Sequence, residues 1–517
     1  MAGPGSRLRG GHLVKRLVAN RYVLALLVIT ALAAEFGLAS VSRSAALTAG
    51  PRALSTARVA VSAALRACPA PGSTGATASG LALAAASSGS GRAAVTRLSP
   101  AGVTAAQAPL RVLTQPGRLS LVSVSAAPVL AHGSNAGTTG SAAATGPARG
   151  GVMIQASGSM ARGLEAEQTS AGVATAQCQG PGTDFWFVGP GQKSVADIQL
   201  YLMNTDSQAA DVTVQILTDS GPILGSSDAG IGVPPHGMVV QSLASLVHGS
   251  GVVALNVTTS VGRVAAAVLE TSSGREPGAW LPAAEQPATS QVLPGLPATP
   301  GGRELYVAVP GANNAEIKVT AVTERGSYQP TGGSGIDLPG GSAVMVALPS
   351  LGGIPAAIQI SSSVPVTASM SASGGAPGAP GAFTAAAAAV QEQGVIAGNP
   401  ASGGSCALVI SAPRAAAQVS VAELTADGQA SVPARTVPVA AGHTVVVTLA
   451  PPRQAGRSSP FAVVVTPLAG SGPVYAGRVV TRNAAASSIL VVPSSLTWVP
   501  LPAVRSSVTT ALQSSSG

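Results

Sequence analysis

Residues 211–217 read Asp211-Val212-Thr213-Val214-Gln215-Ile216-Leu217, in which polar and apolar side chains alternate strictly as far as Ile216. Successive side chains of a β-strand point to opposite faces of a sheet, so Val212, Val214 and Ile216 share one face. This segment predicts a strand with one buried face. The preceding segment, Ile198–Leu202, also alternates and ends at a turn.

The same order of segments occurs three times. The copies open with Phe185–Val188, Leu305–Val309 and Ala407–Ile410, and the alternating strand recurs at Ile317–Val322 and Val419–Leu424. About six or seven short strands in roughly 90 residues are typical of an immunoglobulin-like sandwich, whereas a propeller blade needs only four. We therefore predict an all-β fold of tandem immunoglobulin-like β-sandwich modules, preceded by one N-terminal transmembrane or signal helix.

Composition shifts and turn signals divide the chain into nine segments. They are a cytoplasmic basic tail (1–21), a transmembrane anchor or signal segment (22–41), a divergent β module (65–175), a β-sandwich module (178–274), a Pro-rich linker (275–302), a β-sandwich module (303–373), a Gly/Ala/Pro-rich linker (374–404), a β-sandwich module (405–482) and a C-terminal extension (483–517).

The composition argues against nucleic-acid binding. Charged residues make up 9% of the 517 residues and aromatic residues 3%, and the formal net charge is +9. Six of the 28 basic residues flank the first apolar segment, and the others are scattered. No basic stripe with interleaved aromatic residues exists, so we expect no nucleic-acid partner.

The N-terminus predicts export. Five basic residues precede the apolar run Tyr22–Ala34, which is the arrangement of a signal sequence. If the run continues to Val41, it has about the 20 residues that span a bilayer, and the positive-inside rule places everything after Arg43 outside the cell. We expect an uncleaved single-pass anchor. Cleavage at the small residues Ala31-Leu32-Ala33 would instead give a secreted protein.

The three cysteines suggest one disulfide. Cys68 and Cys178 open similar phrases, each continuing with Pro and Gly, so we predict that they pair and tie the first module to the second. Cys406 would be left over. The alternative is that all three are free.

Motifs of known chemistry are absent from the sequence. There is no nucleophile elbow, metalloprotease, phosphate-loop or C-x-x-C pattern, so we predict no catalytic residue, no cofactor and no metal ligand. His236 and His443 occupy similar turn positions and are interpreted as turn residues. The acidic group Asp184, Asp197, Asp206 and Asp211 lacks the fixed spacing of a calcium loop.

Two groups of residues are candidates for a ligand site. Glu165 and Glu167 lie two apart on a predicted strand and share a face, which we interpret as solvated rather than as a catalytic pair. Trp186 lies between Phe185 and Phe187. We expect the two Phe rings in the core and Trp186 over the seam to the first module. An exposed Trp186 would instead provide a platform on which a sugar ring stacks.

The run Cys178–Gly189, with Ile198–Asn204 and Gly262–Val268, resembles a family of exported actinobacterial proteins catalogued as a domain of unknown function. The similarity covers most of the chain after residue 60. The resemblance implies an envelope location and a single N-terminal span or signal, and it carries no catalytic residues.

Two functional hypotheses follow. The first is a non-catalytic cell-envelope protein whose extracellular modules bind or space cell-wall polysaccharide or partner proteins. The second is an accessory or degenerate hydrolase of cell-wall glycan, which would need two convergent carboxylates or a histidine in a cleft.

Overall fold

The computed structural model describes residues 25–26, 28–35, 58–69, 78–85, 88–99, 108–125, 151–170, 173–223, 230–271, 278–348, 351–373, 381–426, 433–451, 453–454, 457–482, 485–491, 493 and 498–500. The chain divides into two compact units, residues 1–59 with 500–517, and residues 60–499.

In the first unit, residues 25–26 and 28–35 are helical. Residues 58–59 begin strand β1 (Arg58–Ala60). The rest of the anchor predicted at 22–41, and the tail at 1–21, lie outside the described residues. Among the residues that the structure describes, no helix has the length and hydropathy needed to cross a membrane.

The second unit is built from antiparallel strands, so the prediction of an all-β chain is confirmed. Its strands form four modules. The first module has β2 (Ala63–Cys68), β3 (Ala78–Ala85), β4 (Gly91–Arg97), β5 (Arg111–Leu113), β6 (Leu119–Ser125), β7 (Val152–Gly158), β8 (Leu164–Ser170) and β9 (Val173–Gln177).

The second module follows the same plan. Its strands are β10 (Asp184–Pro190), β11 (Asp197–Met203), β12 (Ala210–Thr218), β13 (Gly221–Pro222), β14 (Ile231–Val233), β15 (Met238–Ser242), β16 (Val252–Val261), β17 (Ala265–Thr271) and β18 (Ala279–Leu281).

The third and fourth modules complete the unit. The third has β19 (Ala288–Leu296), β20 (Arg303–Val309), β21 (Ala315–Thr323), β22 (Gly326–Tyr328), β23 (Ile336–Leu338), β24 (Ser342–Ala347), β25 (Ala356–Ala372) and β26 (Ala382–Ala385). The fourth has β27 (Gly394–Asn399), β28 (Ser405–Ala412), β29 (Ala417–Leu424), β30 (Arg435–Val439), β31 (His443–Leu449), β32 (Arg453–Gln454), β33 (Arg457–Ser458), β34 (Phe461–Pro467), β35 (Tyr475–Arg482) and β36 (Ala485–Val491). Strand β37 (Trp498–Pro500) follows.

Each module consists of two sheets with one strand order. In the second module, one sheet runs β10-β16-β12-β13 and the other β15-β11-β17-β18. The first and fourth modules have the matching orders β2-β7-β4-β5 with β6-β3-β8-β9, and β27-β34-β29-β30 with β31-β28-β35-β36. In the third module the 17-residue strand β25 passes through both sheets, pairing β19 and β21 with its first half and β20 and β26 with its second.

This order differs from the one predicted. In an immunoglobulin domain strands A, B, E and D share one sheet. Here β10 and β11 lie in different sheets, and β10 pairs with β16. The difference is invisible in the sequence because alternation shows that a strand has a buried face, but not which strand lies beside it.

The three segments predicted to open the repeats are also not structurally equivalent to one another. Leu305–Val309 and Ala407–Ile410 lie in β20 and β28, whose structural equivalent is β11, while Phe185–Val188 lies in β10. The equivalents of β10 are β19 and β27, which fall inside the segments predicted as linkers. Residues 275–302 contain β18 and β19, and residues 374–404 contain β26 and β27. Their Pro and Gly content conceals strands that are buried on both faces: in β19, Leu293 enters the core of the third module and Val292 packs in a separate cluster with Val322 and Tyr475.

The core of each module lies between its two sheets. In β12, Val212, Val214 and Ile216 are buried while Asp211 and Gln215 are exposed, as the alternation predicts. They pack against residues of the opposite sheet, including Leu200 and Val268.

Outer faces of the modules also pack on one another. Trp186 and Val188 of the second module share a core with Leu305 and Val307 of the third. Ala84 and Leu119 of the first module pack on residues of the fourth, including Val395 and Ala397. The first and second modules meet where Ser99 N donates to His236 O at 3.1 Å, and the third and fourth where Thr444 Oγ1 donates to Val322 O at 2.7 Å. Each module therefore contacts the next, and the fourth contacts the first.

Candidate functional site

A polar cleft of about 320 Å³ lies where the four modules meet. Its walls come from β2, β8 and β9 of the first module, the chain that follows each of β9, β18 and β26, and the end of the fourth module. The polar side chains that line it are those of Arg66, Glu165, Gln177, Gln179, Asp184, Glu285 and Gln286.

An ion pair lies in the wall of this cleft. Arg66 Nη2 donates to Glu165 Oε1 at 2.8 Å, and Arg66 Nη1 donates to Leu65 O at 3.1 Å. The Glu165 side chain is only 3% exposed. Burial raises the pKa of Glu165, the charge and hydrogen bond of Arg66 oppose the rise, and the nearby charge of Glu167 adds to it.

The cleft is bordered by a disulfide. Cys178 lines the cleft and is bonded to Cys68, with the two Cα atoms 4.4 Å apart. Beside the bond, Ala67 and Gln179 exchange two backbone hydrogen bonds of 2.8 and 2.9 Å. Cys68 ends β2 and Cys178 directly follows β9, so the bond closes the first module upon itself. Cys406 is free and buried, and burial raises the pKa of its thiol to about 11.

The mouth of the cleft is formed by exposed polar residues. Asp184, Glu285 and Gln286 are exposed. Asp184 Oδ1 accepts a hydrogen bond of 2.6 Å from Asn256 Nδ2, and Gln286 Nε2 donates to the backbone oxygen of Asp184 at 3.3 Å. Deeper in, Gln177 Nε2 donates to Leu490 O at 3.4 Å, so the fourth module is held against the first here.

Glu165 and Glu167 are buried rather than solvated. Ala166 between them points into the core of the first module, so both carboxylates lie on its outer face. The other modules cover that face. Glu165 meets Arg66 at the cleft, whereas Glu167 pairs with Arg478 of the fourth module and accepts a hydrogen bond of 2.9 Å from Ala397 N. The two carboxylates therefore have different partners.

Three of the four aspartates considered as a calcium group have separate partners. Asp206 binds Arg263 at 2.8 Å, Asp197 accepts from Ser242 at 2.7 Å, and Asp184 accepts from Asn256. Across the described residues, no three His, Cys, Asp or Glu side chains are placed to hold a metal ion. His236 adopts a φ of 48° in its turn, and His443 Nδ1 lies 2.8 Å from Ala441 O.

Trp186 is enclosed and Trp280 is not. Trp186 is 5% exposed and packs against the third module, not the first. A ring so enclosed has no open face for a sugar. Phe187 enters the core of the second module and Phe185 packs on it. Trp280 on β18 is half-buried, and its ring lies 5.4 Å from that of Tyr201 at an angle of 59°.

Three buried charged residues were not singled out from the sequence. Arg66 lines the cleft, whereas Arg478 and Glu270 lie outside it, and all three are in strands. Glu270 is 4% exposed, its Oε1 has no hydrogen-bond partner, and burial raises the pKa of this carboxyl well above its usual value. A charged residue inside an apolar strand, as in Val268-Leu269-Glu270, is the signal that would have identified them.

Comparison with known proteins identifies a family. A family model described as "Family of unknown function (DUF5719)" matches residues 129–450. This segment contains the second and third modules and parts of the other two. No curated protein and no solved structure matches the chain significantly.

Proposed function

Because the chain belongs to a family of unknown function (DUF5719), we propose its role from its own geometry: a non-catalytic cell-envelope protein that binds cell-wall polymer or a partner protein in its central cleft. One observation carries the proposal. Four modules, held against one another through buried contacts, leave a polar-lined concavity at their junction. Binding sites favour such junctions.

The chemistry of the residues that line the cleft narrows the class of ligand that it can bind. A volume of about 320 Å³ is at the lower end of the range for ligand sites, which are mostly apolar. Here amide and carboxylate groups dominate. Stripping water from them is favourable only if the ligand replaces the lost hydrogen bonds, so a ligand rich in hydrogen-bonding groups fits best.

The envelope location is supported by two features. The basic tail and apolar run predicted at the N-terminus are those of an anchor or signal, which would leave the second unit outside the cytoplasm. The Cys68–Cys178 disulfide is of the kind that persists in oxidising compartments. We propose a single-pass membrane protein of an actinobacterium, with secretion after cleavage as the alternative.

Sedimentation with purified cell-wall fractions tests the proposal. We expect the full-length protein to sediment with the fractions, and Glu285→Arg/Gln286→Trp, which obstructs the mouth at two exposed positions, to abolish this. The matched control is Glu324→Arg. Glu324 is exposed and lies on a hairpin turn of the third module, distant in the sequence from Glu285 and Gln286. If parent and obstructed variant sediment equally, the cleft is not the binding site.

A second candidate, hydrolysis of cell-wall glycan, is favoured by one observation. Glu165 and Asp184 line the same cleft, and the raised pKa that burial gives Glu165 suits a proton donor. Against it, each carboxylate is held by a neighbour, Glu165 by Arg66 and Asp184 by Asn256. Release of new reducing ends from cell-wall glycan by the parent, but not by Glu165→Gln, would establish this activity instead.

A further inference from the structure

The charges of the chain are distributed unevenly between its modules. Residues 60–177, which contain the first module, have seven arginines and two glutamates, so their net charge is +5. Residues 178–491, which contain the other three modules, have 12 basic and 16 acidic residues, so their net charge is −4. Basic residues thus occur throughout the chain, whereas carboxylates are nearly absent from the first module.

Both glutamates of the first module are buried and paired. Glu165 pairs with Arg66 and Glu167 with Arg478, and each glutamate side chain is 3% exposed. The first module therefore presents no carboxylate to solvent. Among the described residues, its arginines that form no ion pair are Arg92, Arg97, Arg111, Arg118 and Arg162.

Three of these arginines lie around strand β5, the outermost strand of its sheet. In the part of the chain that the structure describes, β5 pairs only with β4, and Val112 lies opposite Ala94. This register makes Val112 and Arg92 diagonal neighbours on one face of the sheet, and Arg111 and Arg97 diagonal neighbours on the other. Guanidinium groups therefore flank the edge strand on both faces.

Two exposed apolar side chains accompany these arginines. Leu110 and Val112 are 38% and 40% exposed, and their spacing of two residues places them on the face that carries Arg92. We call the group of Arg92, Arg97, Leu110, Arg111 and Val112 the β5 edge. None of these residues lines the cleft.

We propose that the β5 edge binds an anionic lipid surface, with its arginines on lipid phosphates and its two apolar side chains between the headgroups. Guanidinium groups bind phosphate through paired, charge-assisted hydrogen bonds. Because the first module exposes no carboxylate, no negative charge on it repels such a surface. The inference goes beyond the proposed function, since this surface is separate from the cleft.

A lipid surface fits the β5 edge better than a soluble anionic polymer does. A polymer of phosphate groups would use the arginines but would offer no apolar layer to Leu110 and Val112, whereas a bilayer offers both. The position in the chain agrees. The proposed anchor ends at residue 41 and β1 begins at Arg58, and 16 intervening residues span at most about 55 Å.

A polarity-sensitive fluorophore tests the inference. It is attached to Val112→Cys in the full-length Cys406→Ala protein, whose other two cysteines form the disulfide. The protein is mixed with vesicles of phosphatidylcholine, with or without phosphatidylglycerol. We expect a blue shift of the emission only with phosphatidylglycerol, and its loss at high salt. The same fluorophore on Gln241→Cys, an exposed position on β15 of the second module, should show no shift.

Charge variants show whether the arginines cause the shift. Arg92→Glu/Arg111→Glu should abolish it, whereas Arg92→Lys/Arg111→Lys should retain most of it. Arg111→Gln alone should lower the ratio of membrane-bound to free fluorophore by about fivefold. The matched control, Arg325→Glu/Arg435→Glu, changes exposed arginines of the third and fourth modules and should leave the shift unchanged.

Three results would overturn the inference. Equal shifts with and without phosphatidylglycerol would show that the lipid charge is not recognised. A shift with soluble polyphosphate in place of phosphatidylglycerol would identify an anionic polymer as the ligand. A shift that survives Arg92→Glu/Arg111→Glu would exclude the arginines. Unfolding midpoints equal to that of the parent show that each variant is folded.

Discussion

Arg478 Nη1 lies 3.0 Å from Glu167 Oε2, although the two residues are 311 positions apart in the chain. Both side chains are buried, and the same Arg478 nitrogen donates to Gly398 O at 2.6 Å. The pair joins the fourth module to the outer face of the first. It is a contact between the two ends of the modular unit.

Removing one member of this pair should destabilise the folded protein. Arg478→Ala leaves the Glu167 carboxylate buried without its counter-charge, which we expect to lower the free energy of unfolding by about 3–5 kcal/mol. Chemical denaturation measures this change in the free energy of unfolding. The matched control is Arg263→Ala, because Arg263 forms a half-exposed pair with Asp206 at 2.8 Å, and such surface pairs contribute about 0–1 kcal/mol.

The double substitution Glu167→Leu/Arg478→Met separates the charge from the packing. It removes both charges together, so we expect most of the lost stability to return. Equal costs for Arg478→Ala and Arg263→Ala would show that the buried pair does not fasten the modules.

A close backbone approach joins the third and fourth modules. A Cβ added at Gly477 would lie 2.7 Å from the Cα of Gly295, which cannot move aside as a side chain can. Gly477→Ala should therefore cost about 1–3 kcal/mol in unfolding free energy. At Gly232, an exposed strand position, an added Cβ meets nothing within 4 Å, so Gly232→Ala should leave the stability nearly unchanged. Similar values for the two variants would contradict this packing.

The disulfide should stabilise the first module and the cleft wall. Replacing Cys68 and Cys178 by serine should reduce the free energy of unfolding by about 2–4 kcal/mol. Reductant should destabilise the parent and leave the double variant unaffected. Cys406→Ala, at the free thiol, serves as the control and should keep the response to reductant. A parent that is insensitive to reductant would argue against a bond between Cys68 and Cys178.

Glu270 should make stability fall as pH rises. Burial raises the pKa of this carboxyl in the folded state above its value of about 4.3 in the unfolded chain. Below that pH both states are protonated and no penalty exists. Above it the unfolded state releases its proton first, so the folded state loses stability until the folded pKa is passed. Tyr306, hydrogen-bonded to Glu304, faces the same carboxyl from the third module.

Glu270→Gln tests this directly. The substitution should raise the unfolding free energy by about 1–3 kcal/mol near pH 8 and change it little near pH 4. Parallel pH profiles of parent and variant would mean that Glu270 is not buried without a partner. Asp219→Asn, at a half-exposed carboxyl 3.8 Å from Lys193, is a suitable control.

Part of the fold was predictable because its signal is local. The alternation in Asp211–Leu217 marks its buried face, and the structure buries Val212, Val214 and Ile216. Strand order was not predictable in the same way. Whether β10 lies beside β11 or β16 depends on pairings between distant segments, which leave the alternation of each strand unchanged.

The candidate site was predictable only in pieces. Glu165, Asp184 and Cys178 were singled out from the sequence, but for other reasons than a shared cleft. Trp186 and Trp280 differ in exposure because Trp186 is enclosed by the third module, whereas Trp280 is only partly covered where the first and second modules meet. That distinction depends on how modules dock.

The sequence by itself determined that this chain forms antiparallel strands in repeated modules, since a two-residue period of apolar side chains specifies a sheet face wherever it occurs. Only the tertiary structure decided which outer faces are covered, and thereby that Glu167 is buried against Arg478 and that a polar cleft remains at the junction. The physical reason is range: strand periodicity is encoded within a few residues, whereas docking joins surfaces hundreds of residues apart.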